Sequence, residues 1–463
     1  MRPSKRCIVS VAFLAVAMLM VVTEGSGQQF TFIPNKVPFL NPGGASETYS
    51  TNGGGIDLTG PFFQSMGTNG RSCATCHQPS DAMSVSAAHI EERFFLTRGK
   101  DPIFRTVDGS NCNHSIDVST EEGRFAAYSL LRKRGLIRIA IAVPANADYR
   151  VVNVSNQYGC NESEIISMYR RPLPSTNLRF LSAVMFDGRE SSPATGTTKI
   201  LYSNYPTALL SDLAHQSVDA TTGHAQGDGT RPTPAEQQQI VNFEMGLFTA
   251  QSFGWSTGSL ESRGATGGPM PLVTQPFFIG VNSSVNFLLP LLEQPGGLVS
   301  PGDDVAGIND DVAAGGLVAG GISSLQGTCG TCHDTPNVGN HSFPTPLNIG
   351  TGDPSETAPS ASLGGLDLSY LPRITVCKND SSGLPTSNCK TTTDLGQALI
   401  DGKFDHVGKI KGPILRGLSA RAPYFHNGSA QTLLDAIRFY EKRFGLVLTP
   451  HEESDLVAFL SSL

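Results

Sequence analysis

The sequence predicts a mainly α-helical protein of two domains, with long ordered loops and one small inserted β-hairpin segment. Three observations lead there. The stretch Cys73-Ala-Thr-Cys76-His77 returns once, as Cys329-Gly-Thr-Cys332-His333. Capped stretches of helical period recur, at 233–250, at 432–444 and from Thr449 onward. Alternation at strand period is clear only within 136–154.

The repeated motif carries the chemistry. Cys-x-x-Cys-His is the c-type haem attachment pattern: each thiol forms a thioether to a porphyrin vinyl group, and the adjacent histidine becomes the proximal iron ligand. With 9 Cys and 10 His in 463 residues, chance gives on the order of 0.004 matches. A zinc site or a pair of reducible disulfides would need further Cys or His pairs at ligand spacing beside each copy. The sequence has none there, so each motif marks a c-type cytochrome domain holding one covalently attached haem c.

The N-terminus reads as a secretory signal over residues 1–27: a basic start with Arg2, Lys5 and Arg6, an apolar run from Cys7 to Val22, then small and polar residues. The run is short for a transmembrane span, and no later stretch reaches that length, so the expectation is a periplasmic or extracellular protein with no membrane span after signal removal. Setting aside Cys7 and the four haem cysteines leaves Cys112, Cys160, Cys377 and Cys389. Four cysteines in an oxidising compartment suggest two disulfides, and nearest-neighbour pairing is the choice among the three connectivities. Net charge is -7, and loss of the signal's net +2 takes it to -9. An acidic chain argues against nucleic acid as partner and suits a basic protein.

Taken in order, residues 28–70 are rich in Gly, Asn, Ser and Thr and read as an extended arm. Ser84–Leu96 places Ile90 and Phe94 four apart, an amphipathic helix. An inserted segment at about 100–172 holds apolar alternations at 136–143 and 149–154, separated by Pro144-Ala-Asn-Ala-Asp148: strand, turn, strand. Thr233-Pro-Ala-Glu236 opens a helix running to about Ala250. The Gly- and Pro-rich stretch 251–307 separates an N-terminal domain, 28–250, from a C-terminal one, 251–463. Asp310–Leu325 is a helix leading to the second motif. A polar loop with Cys377 and Cys389 follows, then helices from Thr432 to Phe444 and after Thr449, the latter with Leu456, Phe459 and Leu460 inward.

The two Cys-x-x-Cys-His sites, with Phe186-Asp-Gly-Arg189 between them and Ala422-Pro-Tyr-Phe-His-Asn-Gly-Ser429 before a helix, resemble the bacterial dihaem cytochrome c peroxidases and MauG. The resemblance leaves out the arm, the Cys112–Cys160 segment and the linker near residue 270. It implies two all-α cytochrome domains. The haem on Cys73, Cys76 and His77 would react with hydrogen peroxide, and that on Cys329, Cys332 and His333 would relay electrons from a small donor protein or from an organic or protein substrate.

Several positions depart from the peroxidase pattern. The methionine that ligates the relay haem falls, fourteen residues after His426, on Tyr440, as in MauG; Tyr440 is thus the candidate sixth ligand, with His341 as rival and a plain core aromatic as the alternative. Phenolate is a hard anionic donor that favours higher iron oxidation states, where thioether favours ferrous iron. The family's distal glutamate has no counterpart, and His224 lies nearest as candidate acid–base catalyst, ahead of His215 and Asp219, or is a surface loop histidine. His89 is a candidate detachable ligand of the first haem, with Met83 as substitute, or an exposed helix residue beside Arg93. Phe186 replaces the usual relay tryptophan, and Trp255 has no evident place. Arg171 stands where the family's interdomain calcium takes an asparagine, and Arg421 where it takes a backbone oxygen, so calcium lacks support here. The competing readings are a MauG-like oxidase or oxygenase and a pure electron-transfer dihaem cytochrome.

Overall fold

The computed structural model describes residues 31–112, 116–181, 183–191, 207–265, 267–274, 346–354 and 366–463. The signal segment, the expected helix at 310–325, the second motif Cys329, Cys332 and His333, and His341 lie outside the described residues. Among the described residues the protein is mixed α/β, 32% helical and 21% strand, which overturns the mainly α expectation. Among the strands that correct it, Gly44–Ser50 is polar in sequence and finds its partner, Leu247–Gly254, far along the chain.

Part of the expected arm folds into a sheet. Strands Phe39–Asn41, Gly44–Ser50, Leu247–Gly254 and Gly258–Ser259 lie in that spatial order. The central antiparallel pair sets Thr48 opposite Thr249. Gly44 opens the second strand at φ +148°, where a Cβ would strike the Phe253 carbonyl; only glycine allows that approach. This pairing also ends the helix begun at Thr233. The capping box forms between Thr233 and Glu236, but the helix spans Pro234–Met245 and the chain continues after Gly246 as strand instead of reaching Ala250 in helix.

The inserted segment forms its two strands without the expected hairpin. Ile137–Ala142 pairs with Ile165–Arg170, whereas Tyr149–Ser155 pairs with Arg373–Asn379. The turn between them explains the divergence. Asp148 donates its N–H to the Gly402 carbonyl at 2.8 Å, and its carboxylate accepts the Phe404 N–H at 2.6 Å, which steers the second strand to the C-terminal part of the chain. There Arg373–Asn379 also pairs with Pro385–Thr392. Tyr149, Ile166 and Met168 consequently share one core with Ile374, Leu399 and Phe404. Both expected disulfides form: Cys112–Cys160, and Cys377–Cys389 across directly opposed strand residues.

The helices at Ala87–Thr97, Leu433–Phe444 and Pro450–Ser462 lie where the sequence places them, each with a Ser or Thr side chain capping its first turn. Leu456, Phe459 and Leu460 are half-buried. A helix not expected from the sequence, Thr207–Gly223, packs on Pro234–Met245 and delivers His224 at its end. No described helix is long and apolar enough to cross a membrane.

Candidate functional site

The first motif folds as one short helical turn over Cys73–Thr75. The His77 N–H donates to the Cys73 carbonyl at 3.1 Å, and both thiols and the imidazole reach one cavity. Neither thiol is in a disulfide, and burial pushes the Cys73 thiol up to about 12. Burial also pushes His77 down to about 4, so the imidazole is neutral and able to ligate metal at ordinary pH.

The orientation of His77 is set from below. Its Nδ1 lies 3.1 Å from the Met83 carbonyl and 2.9 Å from Ser175 Oγ. The Met83 carbonyl can only accept and the Ser175 hydroxyl is able to, which puts the proton on Nδ1 and leaves Nε2 as the ligating nitrogen. Ala82 and Met83 both take left-handed backbone conformations, φ 53° and 57°, an uncommon pair that aims the Met83 carbonyl at the ring. The cavity wall is cationic. Lys411 is 2% exposed, lines the cavity, has no carboxylate partner among the described residues, and is pushed down to about 7 by burial. Arg171 is buried on the same wall, and it too has no ion pair among the described residues. A buried cation without a counter-charge is costly. Haem propionates are the anions that would relieve it, so two thiols, an oriented imidazole and an unpaired lysine fit haem c as a donor set.

His224 lines this cavity as well. Its Nδ1 hydrogen-bonds Asp108 Oδ2 at 2.5 Å, and the other Asp108 oxygen pairs with Arg71 Nη1. Burial pushes the Asp108 carboxyl up, but the bond from His224 and the Arg71 charge outweigh it and hold it below the usual range. Asp108 therefore stays a carboxylate that orients the imidazole, and Nε2 is the ring nitrogen left to act in the cavity.

The other predicted residues lie elsewhere. His89 is bonded through Nδ1 to the buried Asp81 at 2.5 Å, off the cavity wall. Met83 contributes its carbonyl, and its side chain packs with Phe62 and Met66. His215 bonds Glu190 at 2.8 Å, on the exposed side of its helix beside Asp219. Tyr440 packs among Phe425, Phe439 and Phe444. Phe186 is buried on the cavity wall, and its ring stands edge-on to His426 with centroids 6.0 Å apart. Trp255 is 61% exposed and donates to the Asn41 carbonyl. At the position matched to calcium, the Arg171 guanidinium donates to the carbonyls of Val85, Arg134 and Arg421 at 2.6–2.8 Å, filling the place of a cation with its own charge.

Sequence reasoning missed Asp108, Ser175, Glu244 and Lys411. Only Glu244 left a signal, since it sits at helical spacing from the apolar Ile240 and Val241, on the face that the helix buries.

No family model matches the chain. Among curated proteins it is 36% identical over 90 residues to the cytochrome-c peroxidase IdrP2 of a Pseudomonas species, and 37% identical over 90 residues to that of Denitromonas iodatirespirans. Each match covers 18% of this chain, which thus spans about a quarter (24%) of the relatives' length. Among solved structures, a MauG-like protein associated with microbial copper homeostasis is 15% identical with a TM-score of 0.36, covering 95% of both chains. A variant of the diheme peroxidase BthA from Burkholderia thailandensis is 13% identical with a TM-score of 0.27, covering 88% of this chain and 81% of that one.

Proposed function

On the premise that the chain resembles the dihaem cytochrome c peroxidase and MauG superfamily, supported by its 90-residue likeness to curated cytochrome-c peroxidases, we propose that it is an exported dihaem c-type peroxidase. Cys73, Cys76 and His77 would hold the peroxide-reacting haem, Cys329, Cys332 and His333 the electron-relaying one, with Tyr440 as the latter's sixth ligand. The domains would be 28–250 and 251–463. Bound haem supplies an iron that accepts and delivers electrons. Two disulfides support an oxidising compartment.

The observation that carries this reading is that His77 and an Asp108-oriented His224 line one cavity. Peroxide cleavage needs a proton moved from one oxygen to the other. His224 Nε2 takes the first proton, Asp108 holds the imidazolium while it exists, and His224 returns the proton to the departing oxygen. With two further protons and two electrons from a small redox protein, hydrogen peroxide becomes two waters. Arg71, anchored on the carbonyls of Pro102 and Ile103 as well as on Asp108, keeps the pair in place.

Phe186 in place of a tryptophan and Tyr440 in place of a methionine favour a second reading, a MauG-like oxidase acting on an organic or protein substrate. A spectroscopic peroxide titration separates the two. Reaction only after half reduction, with turnover of a small reduced cytochrome, supports the peroxidase; reaction of the fully ferric protein supports the oxidase. Inertness in both states would leave a pure electron-transfer cytochrome and overturn the peroxide assignment.

A further inference from the structure

Glu190, His215 and Asp219 each bring a side-chain donor atom to one place, all of them within 4.8 Å of one another. None of the three lines the cavity of His77 and His224, and the peroxide chemistry makes no use of them. Two elements supply them. His215 and Asp219 lie four apart on the helix Thr207–Gly223 and so share one of its faces. Glu190 comes from the short turn Arg189–Ser191 and is 3% exposed.

The two elements are held together without help from these side chains. Leu209 and Leu213 on the helix pack with Leu178 and Val184. The Val184 N–H donates to Ser191 Oγ at 2.6 Å, and the Ser191 N–H to the Gly188 carbonyl at 2.8 Å, which fixes the turn on either side of Glu190. The result presents the buried carboxylate to the helix, with His215 Nδ1 2.8 Å from Glu190 Oε2. Asp219 is exposed and its side chain is able to rotate inward.

The charges around the three are unbalanced. Asp212, half-buried one turn before His215, adds a third carboxyl. Burial and the Glu190 charge push Asp212 up to about 7, and burial pushes Glu190 up as well. Arg189 hydrogen-bonds Asp187 and stands 3.9 Å from Glu190. Carboxylates crowded in this way gain from a cation placed among them. A comparison within the chain separates this arrangement from a plain surface pair. His451 and Asp455 also lie four apart on a helix, 2.8 Å from each other, yet among the described residues only the group at Glu190 gathers three donors.

We propose that Glu190, His215 and Asp219 bind a divalent first-row transition ion of the zinc class, which ties the helix Thr207–Gly223 to the turn after Phe186. One imidazole and two carboxylates suit such an ion, with water completing its shell, whereas calcium and magnesium take oxygen donors alone. The ion takes the place of the proton now held between His215 and Glu190. The site is independent of haem, and it braces the helix that ends at His224.

The test uses the purified full-length protein, stripped with a chelator and titrated with zinc chloride by calorimetry, with the melting temperature read alongside. Wild type should bind one zinc more than H215A does, at micromolar affinity or tighter, and melt higher with zinc than without it. E190Q and D219N should lose the same zinc, and H451A should keep it. His215 and Asp219 are exposed, so H215A and D219N should retain the wild-type circular dichroism spectrum even where E190Q does not. Equal zinc binding by wild type and H215A, or the same loss in H451A, overturns the site. Displacement of the zinc by an excess of calcium chloride overturns the assignment to the zinc class.

Discussion

Replacing Asp108 by asparagine tests stability and catalysis through one atom. The carboxyl is 4% exposed and receives Arg71 on one oxygen and His224 on the other. Asparagine keeps the volume and removes the charge, which leaves the Arg71 guanidinium, 3% exposed at its side chain, buried without a counter-ion. Breaking a buried pair in this way costs about 3–5 kcal/mol. Arg71 retains the Pro102 carbonyl at 2.9 Å and the Ile103 carbonyl at 2.5 Å, which places the expected loss near the lower end, about 3 kcal/mol. The catalytic effect runs through the tautomer. An amide that turns its oxygen toward Arg71 presents its NH₂ to His224 Nδ1, which must then accept, so the proton moves to Nε2 and the base is lost. A positioned acid–base group is worth about 10²–10⁴ in rate, and D108N should lose most of that. Urea unfolding measures the first effect, steady-state peroxide reduction with a reduced cytochrome the second, and the haem absorbance spectrum guards against loss of cofactor. Full stability would refute the ion-pair argument. A kcat within twofold of wild type, with haem intact, would refute His224 as the acid–base group.

Four other outcomes follow from the same geometry. H224Q should lower kcat about 10²–10⁴-fold while leaving the haem spectrum in place; a change confined to haem content would mean that His224 serves attachment instead. C112S/C160S, opening a loop with a sequence separation of 48, should cost about 4 kcal/mol on chain entropy, and C377S/C389S, with a separation of 12, about 3 kcal/mol, both read by denaturant midpoint. Acid should destabilise the fold in two stages. His426 is pushed down to about 4 by burial, so its contribution is present above its unfolded value of about 6.5 and is lost as pH falls toward 4; burial lifts Asp187 and Asp394, but Arg189 and Arg170 on the former and Arg170 on the latter hold both below the carboxylate range, so theirs is lost only below about 3.9. Y440F should remove a phenolate or high-spin signature from one haem only, and an unchanged spectrum would reject the ligand.

What the sequence made legible was local. The haem turn, the helix starts at Thr233, Thr432 and Thr449, and the two disulfide pairs depend on residues a few positions apart or on a small set of partners. Gly44–Ser50 and Pro385–Thr392 escaped because their side chains are mostly polar. Their strand identity comes from a partner strand, 201 residues away in the case of Thr48 and Thr249. The expected hairpin failed for a related reason: apolar alternation shows that 137–142 and 149–155 are strands, but Asp148 decides what each one pairs with. In the site, His224 was legible as a titratable residue near the expected position. Asp108 was not, since nothing in its neighbourhood in sequence connects it with a residue 116 positions on.

The Phe186-Asp-Gly-Arg189 turn acquires its meaning from that same distance in sequence. Asp187 pairs with Arg170 and Arg189, and Arg170 reaches on to Asp394 with both its Nε and Nη2, at 2.7 and 2.8 Å. Asp394 in turn faces His426 at 3.8 Å. Four buried charged or polar side chains therefore connect the cavity wall to the Ala422–Ser429 motif. Burial lowers the Arg170 pKa, but Asp394 and Asp187 outweigh it and raise it, so none of its neighbours can relax toward neutrality without exposing a buried charge. Such a lattice fixes the separation between its ends: Phe186, next to Asp187 on the cavity wall, is held with its ring 6.0 Å from that of His426 at the far end of the same chain of charges.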